Sequence, residues 1–385
     1  MQDLQRNIWN LQEIARIPEV YNAYGFEEDG LTAIFYENMP WQGKETRAFA
    51  WYGFPENVTP ENPVPGIVLV HGGGGTALAD WCRHWIKLGY AVIAMDNCGG
   101  VPAWNTSPHH RMKWPRHEFS GPAGWGNLDQ TMEPPHEQWM YHAVCSVLRA
   151  KELLKSFPQV QKDNIGINGI SWGAVLSCVA CGLDDSFRFA IPVYGCGGFK
   201  TPESFIWDSK ISPALTERWF DLWDPDHYLP ESTVPFLFLA ETCDAAFPLG
   251  AWFESTKLPK GKVYRSLRPD YRHDHSISWQ SKTLIDFAKS CSENMELPSF
   301  FNIERDGKML TAEISLSGRM IVSAEIYFTR ASGVWMDRKW NSAKAEIQGN
   351  RIIAKIPEMT TVCYLGFTDD RGAFLTSEPV FCQKK

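Results

Sequence analysis

Gly169-Ile170-Ser171-Trp172-Gly173 is the segment of this sequence best suited to covalent chemistry. A G-x-S-x-G pentapeptide puts its serine on a sharp strand-to-helix turn, where small residues on either side let the two backbones approach and the hydroxyl stand clear. The apolar run Asn164–Gly169 leads into the motif and Trp172–Cys181 leads out of it. The pattern predicts a strand that stops at Ser171 and a helix that starts there and ends at Gly182. A serine hydroxyl is a weak nucleophile alone. It needs a base to take its proton, an acid to orient that base, and N–H donors to hold the oxyanion that its attack creates.

In this chemistry the partners follow in the chain order Ser, Asp or Glu, His. Asp244 lies just past the apolar run Pro235–Ala240, in Glu241-Thr242-Cys243-Asp244, where the acid belongs, and Glu241 is its competitor. His273 and His275, in Arg272-His273-Asp274-His275, follow the last strand-like run, and only one of them can lie over Ser171. The two histidines have no evident third ligand, so they are not read as a metal site. Neither a metal nor any other cofactor is expected. His71-Gly72-Gly73-Gly74-Gly75 ends an earlier apolar run, and its lack of side chains lets backbone N–H groups approach a ligand. The expected oxyanion donors are the N–H of Trp172 and that of Gly73 or Gly74. A phosphate loop is the poorer reading, since no Gly-Lys-Ser/Thr follows.

These residues must be held by a sheet. Gly66–Val70, Ala91–Met95, Asn164–Gly169, Phe189–Val193, Pro235–Ala240 and Lys262–Leu267 are short apolar runs, separated by the helical patterns Ala77–Leu88, His136–Phe157, Trp172–Cys181 and, last, Thr283–Cys291. Such alternation predicts an α/β fold, a mostly parallel sheet with helices on both faces. Ahead of it, residues 3–24 read as a helix, and Leu31–Tyr36 with Thr46–Tyr52 as an antiparallel hairpin. Residues 98–135 are rich in Pro, Gly, Trp and His without a clear period, which suggests a lid-like insertion or pocket wall. Trp104 and Trp125 within it are the candidate substrate-pocket residues.

After about residue 297 the pattern becomes alternating. Met309–Leu316, Ile321–Thr329, Ala343–Ile347, Arg351–Ile356 and Thr361–Thr368 are separated by turn residues, which predicts an all-β, immunoglobulin-like sandwich. The expected organisation is a catalytic α/β domain over 1–296 and a β-sandwich over 297–385. Trp335 and Trp340 are its residues of interest, with packing and substrate binding both open as its role.

Composition narrows the partners. The net charge of −8 and the pI of about 5.7, without a long basic run, argue against nucleic acid or an anionic membrane surface. No apolar run approaches the ~18 residues of a membrane helix. The start of the chain has no basic segment followed by an apolar one, and the cysteines are scattered, so a cytoplasmic location is expected. Cys178 and Cys181 form a C-x-x-C inside an apolar helix and read as buried thiols. Seventeen tryptophans are more than most chains of 385 residues carry. Core packing explains most of them, and a sugar-stacking platform would use the rest.

Val70-His71-Gly72-Gly73-Gly74-Gly75-Thr76-Ala77 and Gly169-Ile170-Ser171-Trp172-Gly173, with Pro192-Val193-Tyr194-Gly195-Cys196-Gly197 and Thr368-Asp369-Asp370-Arg371-Gly372, resemble bacterial α/β-hydrolases of the acetyl xylan esterase kind. These sit within the wider group of dienelactone hydrolases and prolyl-oligopeptidase-like proteins. The resemblance implies an α/β-hydrolase fold and a serine esterase of small acyl groups on carbohydrate. It carries the acid onto Asp244, through Asp244-Ala245-Ala246-Phe247-Pro248-Leu249. It carries the base onto His273, although the family's usual His-Gly-His has Asp274 in place of the glycine here. The expected partner is a small-molecule or oligosaccharide ester. Other readings of the same residues are a peptidase or lactone hydrolase, or a protein that only binds glycan or a partner.

Overall fold

Runs of consecutive apolar residues form strands only when both faces are covered, and here they make the centre of one large sheet. The computed structural model describes residues 5, 7–103, 114–124, 128–201, 203–204, 206, 212–269, 273–274 and 279–382. Strands β4 (Val64–Val70), β5 (Ala91–Met95), β6 (Val160–Ile170), β7 (Ala190–Val193), β8 (Phe236–Glu241) and β9 (Val263–Arg268) run parallel. An antiparallel flap precedes them, β1 (Val20–Asn22), β2 (Thr32–Trp41) and β3 (Lys44–Gly53), and β3 joins the sheet antiparallel to β5. The nine-stranded order is β1-β2-β3-β5-β4-β6-β7-β8-β9.

From β4 the chain moves outward to β5, then returns to the other side of β4 as β6. In open parallel sheets ligands bind beyond the carboxyl ends of the strands, at this reversal of strand order. Val70 and Gly169 are register partners at those ends. The glycine loop that begins at His71 and the turn that holds Ser171 therefore leave the sheet side by side.

Helices α2 (Ala79–Lys87), α3 (Trp139–Ser156), α4 (Trp172–Leu183), α5 (Pro213–Trp223), α6 (Leu249–Ser255) and α7 (Lys282–Ser292) follow the strands, and the short α1 (Leu11–Ile14) opens the chain. α4 is buried from Trp172 to Gly182, as a helix in the centre of a large core must be.

Several expectations change. The helix read over 3–24 is, among the described residues, a helical Gln5 and the four-residue α1 capped by the Asn10 side chain, followed by β1. Pro18 stops helical hydrogen bonding and biases Ile17 toward extended backbone. Gly182 does not end its helix, which runs to Leu183 with Asp184 beyond it. Gly182 is small because a Cβ there would collide with the backbone oxygen of Tyr228. The 98–135 segment includes the helical turn Leu128–Met132 and a bridge between Gly100 and Arg116, and a further turn, Pro135–Glu137, leads from it into α3. Trp114 from it donates Nε1–H to the Gly74 carbonyl at 3.0 Å, so the insertion is tied to the glycine loop.

The C-terminal region forms two antiparallel sheets. One has the order β10 (Ser299–Asp306), β11 (Met309–Ser315), β15 (Arg351–Lys355), β14 (Glu346–Gln348). The other has β13 (Trp340–Lys344), β12 (Ile321–Thr329), β16 (Val362–Asp369), β17 (Phe374–Thr376), with β18 (Val380–Phe381) also on β16. The run Ala343–Ile347 is not one strand. It divides between β13 and β14, and the chain crosses from one sheet to the other at Ala345. Leu310, Ile326, Ile352 and Leu365 share one buried cluster between the sheets.

This β region covers the edge strand β9. Ser266 donates its hydroxyl to Phe374 O at 2.8 Å, Leu267 N–H to Thr376 Oγ1 at 3.2 Å, and Tyr364 its hydroxyl to Leu267 O at 3.0 Å. An uncovered edge is a template for unwanted pairing, and here it is closed. Arg319, buried between the regions, donates to Asp369 Oδ2 at 2.7 Å, to Ser290 Oγ at 2.8 Å and to Asp286, tying the β region to α7. Among the described residues no helix is long and apolar enough to cross a membrane.

Candidate active site

Ser171 stands between β6 and α4 with φ +57° and ψ −120°, a strained conformation for a residue with a side chain. Its neighbours permit this. A Cβ on Gly169 would run into the Gly173 carbonyl, and one on Gly173 into the backbone oxygen of Val70 at the end of β4. The two glycines of the motif are therefore required by the close approach of strand β6, helix α4 and strand β4.

Three of the residues singled out by sequence meet. His273 Nε2 is 2.9 Å from Ser171 Oγ, and its Nδ1 is 2.9 Å from Asp244 Oδ2. Asp244 is almost wholly buried, Ser171 is 9% exposed, and the His273 side chain is 28% exposed. Asp244 leaves the end of β8, and its Oδ1 accepts the N–H groups of Ala246 at 2.7 Å and Phe247 at 2.9 Å. Those bonds leave Oδ2 for the imidazole. His275, Trp104 and Trp125 lie outside the described residues.

Glu241, weighed from sequence as a rival acid, has a different place. Its Oε1 accepts the backbone N–H of His273 at 2.9 Å, so it holds the main chain of the loop whose imidazole Asp244 orients. Glu241, Asp244 and His273 offer ligand atoms within 4.8 Å of one another, but both carboxylates are already bonded to His273. Tyr194, just past β7, lies nearly parallel to the His273 ring at 5.0 Å, and Phe247 is parallel to it at 6.2 Å. Tyr194 has φ +53°. Nothing in its residue type signals that it packs on the base; only its place after a parallel strand could have suggested it.

The glycine loop is also built from beneath. His71 Nδ1 donates to Gly72 O at 2.8 Å, while Nε2 accepts the Asn97 N–H at 3.0 Å, which fixes the tautomer. Gly75 N–H donates to Gly72 O at 3.1 Å, and Gly74 has φ +68°. The N–H groups of Gly73 and Gly74 make no hydrogen bond among the described residues. Asp96 sits 3.5 Å from His71 Nε2. Burial raises its pKa, but the N–H groups of Cys98 and Gly100, both donated to its Oδ1, hold it below the usual carboxylate value.

Under the nucleophile is an aromatic floor. Trp172 stacks on Phe199 at 5.9 Å and meets Trp139 and Trp219 edge-on at 5.9 and 6.1 Å. The loop carrying Phe199 is clamped by Asp224, which accepts the N–H of Gly198 at 3.0 Å and of Phe199 at 2.7 Å. Nearby, Asp226 accepts the Ser255 hydroxyl at 2.7 Å, and Ser255 Oγ accepts the Gly197 N–H at 3.1 Å. Burial, then the charge of Asp224, pushes Asp226 up to about 7.

The β region reaches the acid loop. Trp335 donates Nε1–H to Glu203 at 2.8 Å and carries Arg338 over its ring at 3.4 Å, and Cys243 Sγ lies 3.2 Å from Arg338 O. Trp335 is buried and lines a cavity shared with Asp244 and Pro248. Cys178 and Cys181 are buried free thiols.

Residues 10–197 match the acetyl xylan esterase (AXE1) family model. Among solved structures, the chain is similar to an acetyl xylan esterase from Paenibacillus sp. R4, with a TM-score of 0.59, 18% identity, and 75% of this chain and 95% of that one covered. It is also similar to acetyl xylan esterase 1 from Thermoanaerobacterium sp. JW/SL YS485, with a TM-score of 0.53, 16% identity, and 76% and 93% covered. At these identities the structural likeness speaks to the fold, while the family match adds the chemistry. The chain has an α/β-hydrolase fold, its residues 10–197 are similar to acetyl xylan esterases, and it is a serine carboxylic ester hydrolase.

Proposed function

We propose that the chain removes acetyl or similarly small acyl groups from esterified carbohydrate, with Ser171, His273 and Asp244 as nucleophile, base and acid. The observation that supports this reading is the unbroken chain of 2.9 Å contacts from Ser171 Oγ through His273 to Asp244. His273 Nε2 takes the hydroxyl proton as Ser171 Oγ attacks the ester carbonyl. Asp244 holds the Nδ1–H tautomer and stabilises the imidazolium. The oxyanion is received by the N–H of Trp172 and that of Gly73 or Gly74. His273 then gives its proton to the departing sugar oxygen, leaving an acyl-serine. A water, deprotonated by the same histidine, attacks the acyl carbon and regenerates the hydroxyl.

In this reading residues 1–296 form the catalytic unit and 297–385 a β-sandwich that covers the β9 edge. The test is covalent. A fluorophosphonate should label Ser171 in the wild type, and neither Ser171→Ala nor His273→Ala should be labelled at a comparable rate. Equal labelling of a folded His273→Ala protein would remove His273 as the base.

A further inference from the structure

The β region adds more than an edge cover. Between it and the large sheet lies a cleft of about 670 Å³, lined among others by Arg268, Gln280, Lys282, Tyr327, Trp340 and Asn341. That volume is within the roughly 300–1,000 Å³ of small-molecule sites, which favour the junction of two packed regions. We propose that this cleft binds a carboxylate-bearing sugar of an acidic glycan, a second carbohydrate site at the carboxyl edge of the sheet that carries the triad; the proposal rests on the esterase reading given above.

The position supports it. Arg268 is the last residue of β9, at the carboxyl edge of the sheet, and His273 follows five positions later. Gln280 and Lys282 stand where the chain enters α7, which starts at Lys282. The facing wall comes from β12 and β13, where Thr329 pairs with Trp340 and Tyr327 with Ser342. Tyr327 and Trp340 are thus on one face of the sheet, two positions apart in register. Tyr364 supports both, stacked on Tyr327 at 5.2 Å and 5.5 Å from Trp340.

The chemistry is that of a sugar acid. Half-exposed aromatic rings offer flat apolar faces to the C–H side of a pyranose, while Gln280, Asn341 and Ser342 offer hydrogen bonds to its hydroxyls. Arg268 and Lys282 supply positive charge, and no described lining residue is a carboxylate. This occurs in a chain of net charge −8. Lys282 is exposed and makes no ion pair among the described residues. A phosphate would use the two cations but leave the aromatic wall and the amides without a role.

Calorimetric titration of Ser171→Ala, which binds without turning over, tests this. The probes are xylo-oligosaccharides with and without a glucuronic acid branch. The acidic probe should bind at least about tenfold more tightly, and that preference should shrink as salt is raised. Adding Lys282→Glu on the exposed surface should weaken the acidic probe by roughly 10–100-fold, the size of a charge-assisted hydrogen bond, and leave the neutral probe unchanged. Lys282→Glu should keep the wild-type melting temperature, so that a lost affinity reports binding rather than folding. Equal binding of both probes, no binding of either, or an acidic-probe affinity indifferent to Lys282→Glu would overturn the cleft assignment. Absent 4-nitrophenyl acetate hydrolysis in the wild type would instead sink the esterase reading, and the binding result would stand apart from it.

Discussion

At Asp244 the two carboxylate oxygens have separate tasks, one fixed by backbone N–H groups and one facing His273 Nδ1. Asp244→Asn keeps the shape and invites the wrong imidazole tautomer, so kcat on 4-nitrophenyl acetate should fall by roughly 10⁴-fold while the fold survives. Stopped-flow or steady-state kinetics check this, and a drop below about tenfold would point to another acid. His71 touches no reacting atom and acts as a positioning residue. His71→Ala removes the acceptor for Asn97 N–H and the prop under Gly72 and Gly75. The expected result is a kcat reduced by up to 10²–10³-fold, the value of one oxyanion donor, with KM nearly unchanged. A rise in KM alone would contradict it. The meeting of Ser171, His273 and Asp244 was legible because a motif and a chain order encode it. Glu241, Tyr194 and the part played by His71 were not, because each acts through packing or a hydrogen bond to main chain that no spacing rule reveals.

At the scale of elements, the nucleophile turn depends on backbones too close for a methyl group. Gly173→Ala would push its Cβ into the Val70 carbonyl, so the protein should lose at least the 1–3 kcal/mol of an overpacked core or fail to fold, as urea titration would reveal. The turn after α5, bonded through Ser255 to the loop after β7, carries its own pH dependence. Asp226 holds its proton to about 7 in the native state against an ordinary 3.8. Between these values the unfolded chain releases a proton that the native chain keeps, so this group lowers stability as pH rises from about 4 to 7. Asp226→Asn keeps an acceptor for Ser255 and should flatten that slope, raising Tm at pH 8 relative to wild type. An unchanged slope in thermal melts would mean that Asp226 is ionised in the folded state. The parallel strands were readable as apolar runs, since their burial on both faces erases alternation. The split of Ala343–Ile347 between two sheets was not, because both halves alternate in the same manner and only tertiary packing decides where the chain crosses.

At the scale of the molecule, strand order is the feature that makes the site, and it was the least legible. Local pattern predicts strands but not that β6 returns beside β4, which puts Ser171 against the glycine loop. The β region is held on by Arg319 with Asp286 and Asp369. Arg319→Ala would leave the buried Asp369 carboxylate without its cation and Asp286 with only Arg371 at 3.9 Å, a loss of about 3–5 kcal/mol for a broken buried pair. Differential scanning calorimetry should show the fall, and a change below about 1 kcal/mol would mean that the regions are held mainly by the β9 contacts.

The central claim is that this triad deacylates carbohydrate. Acetate release from acetylated xylo-oligosaccharides, measured for the wild type and for Ser171→Ala, tests it most directly. The account predicts release by the wild type and none above background by the folded variant. Release that persists in Ser171→Ala, or a wild type active on 4-nitrophenyl acetate but silent on the acetylated sugar, would contradict it.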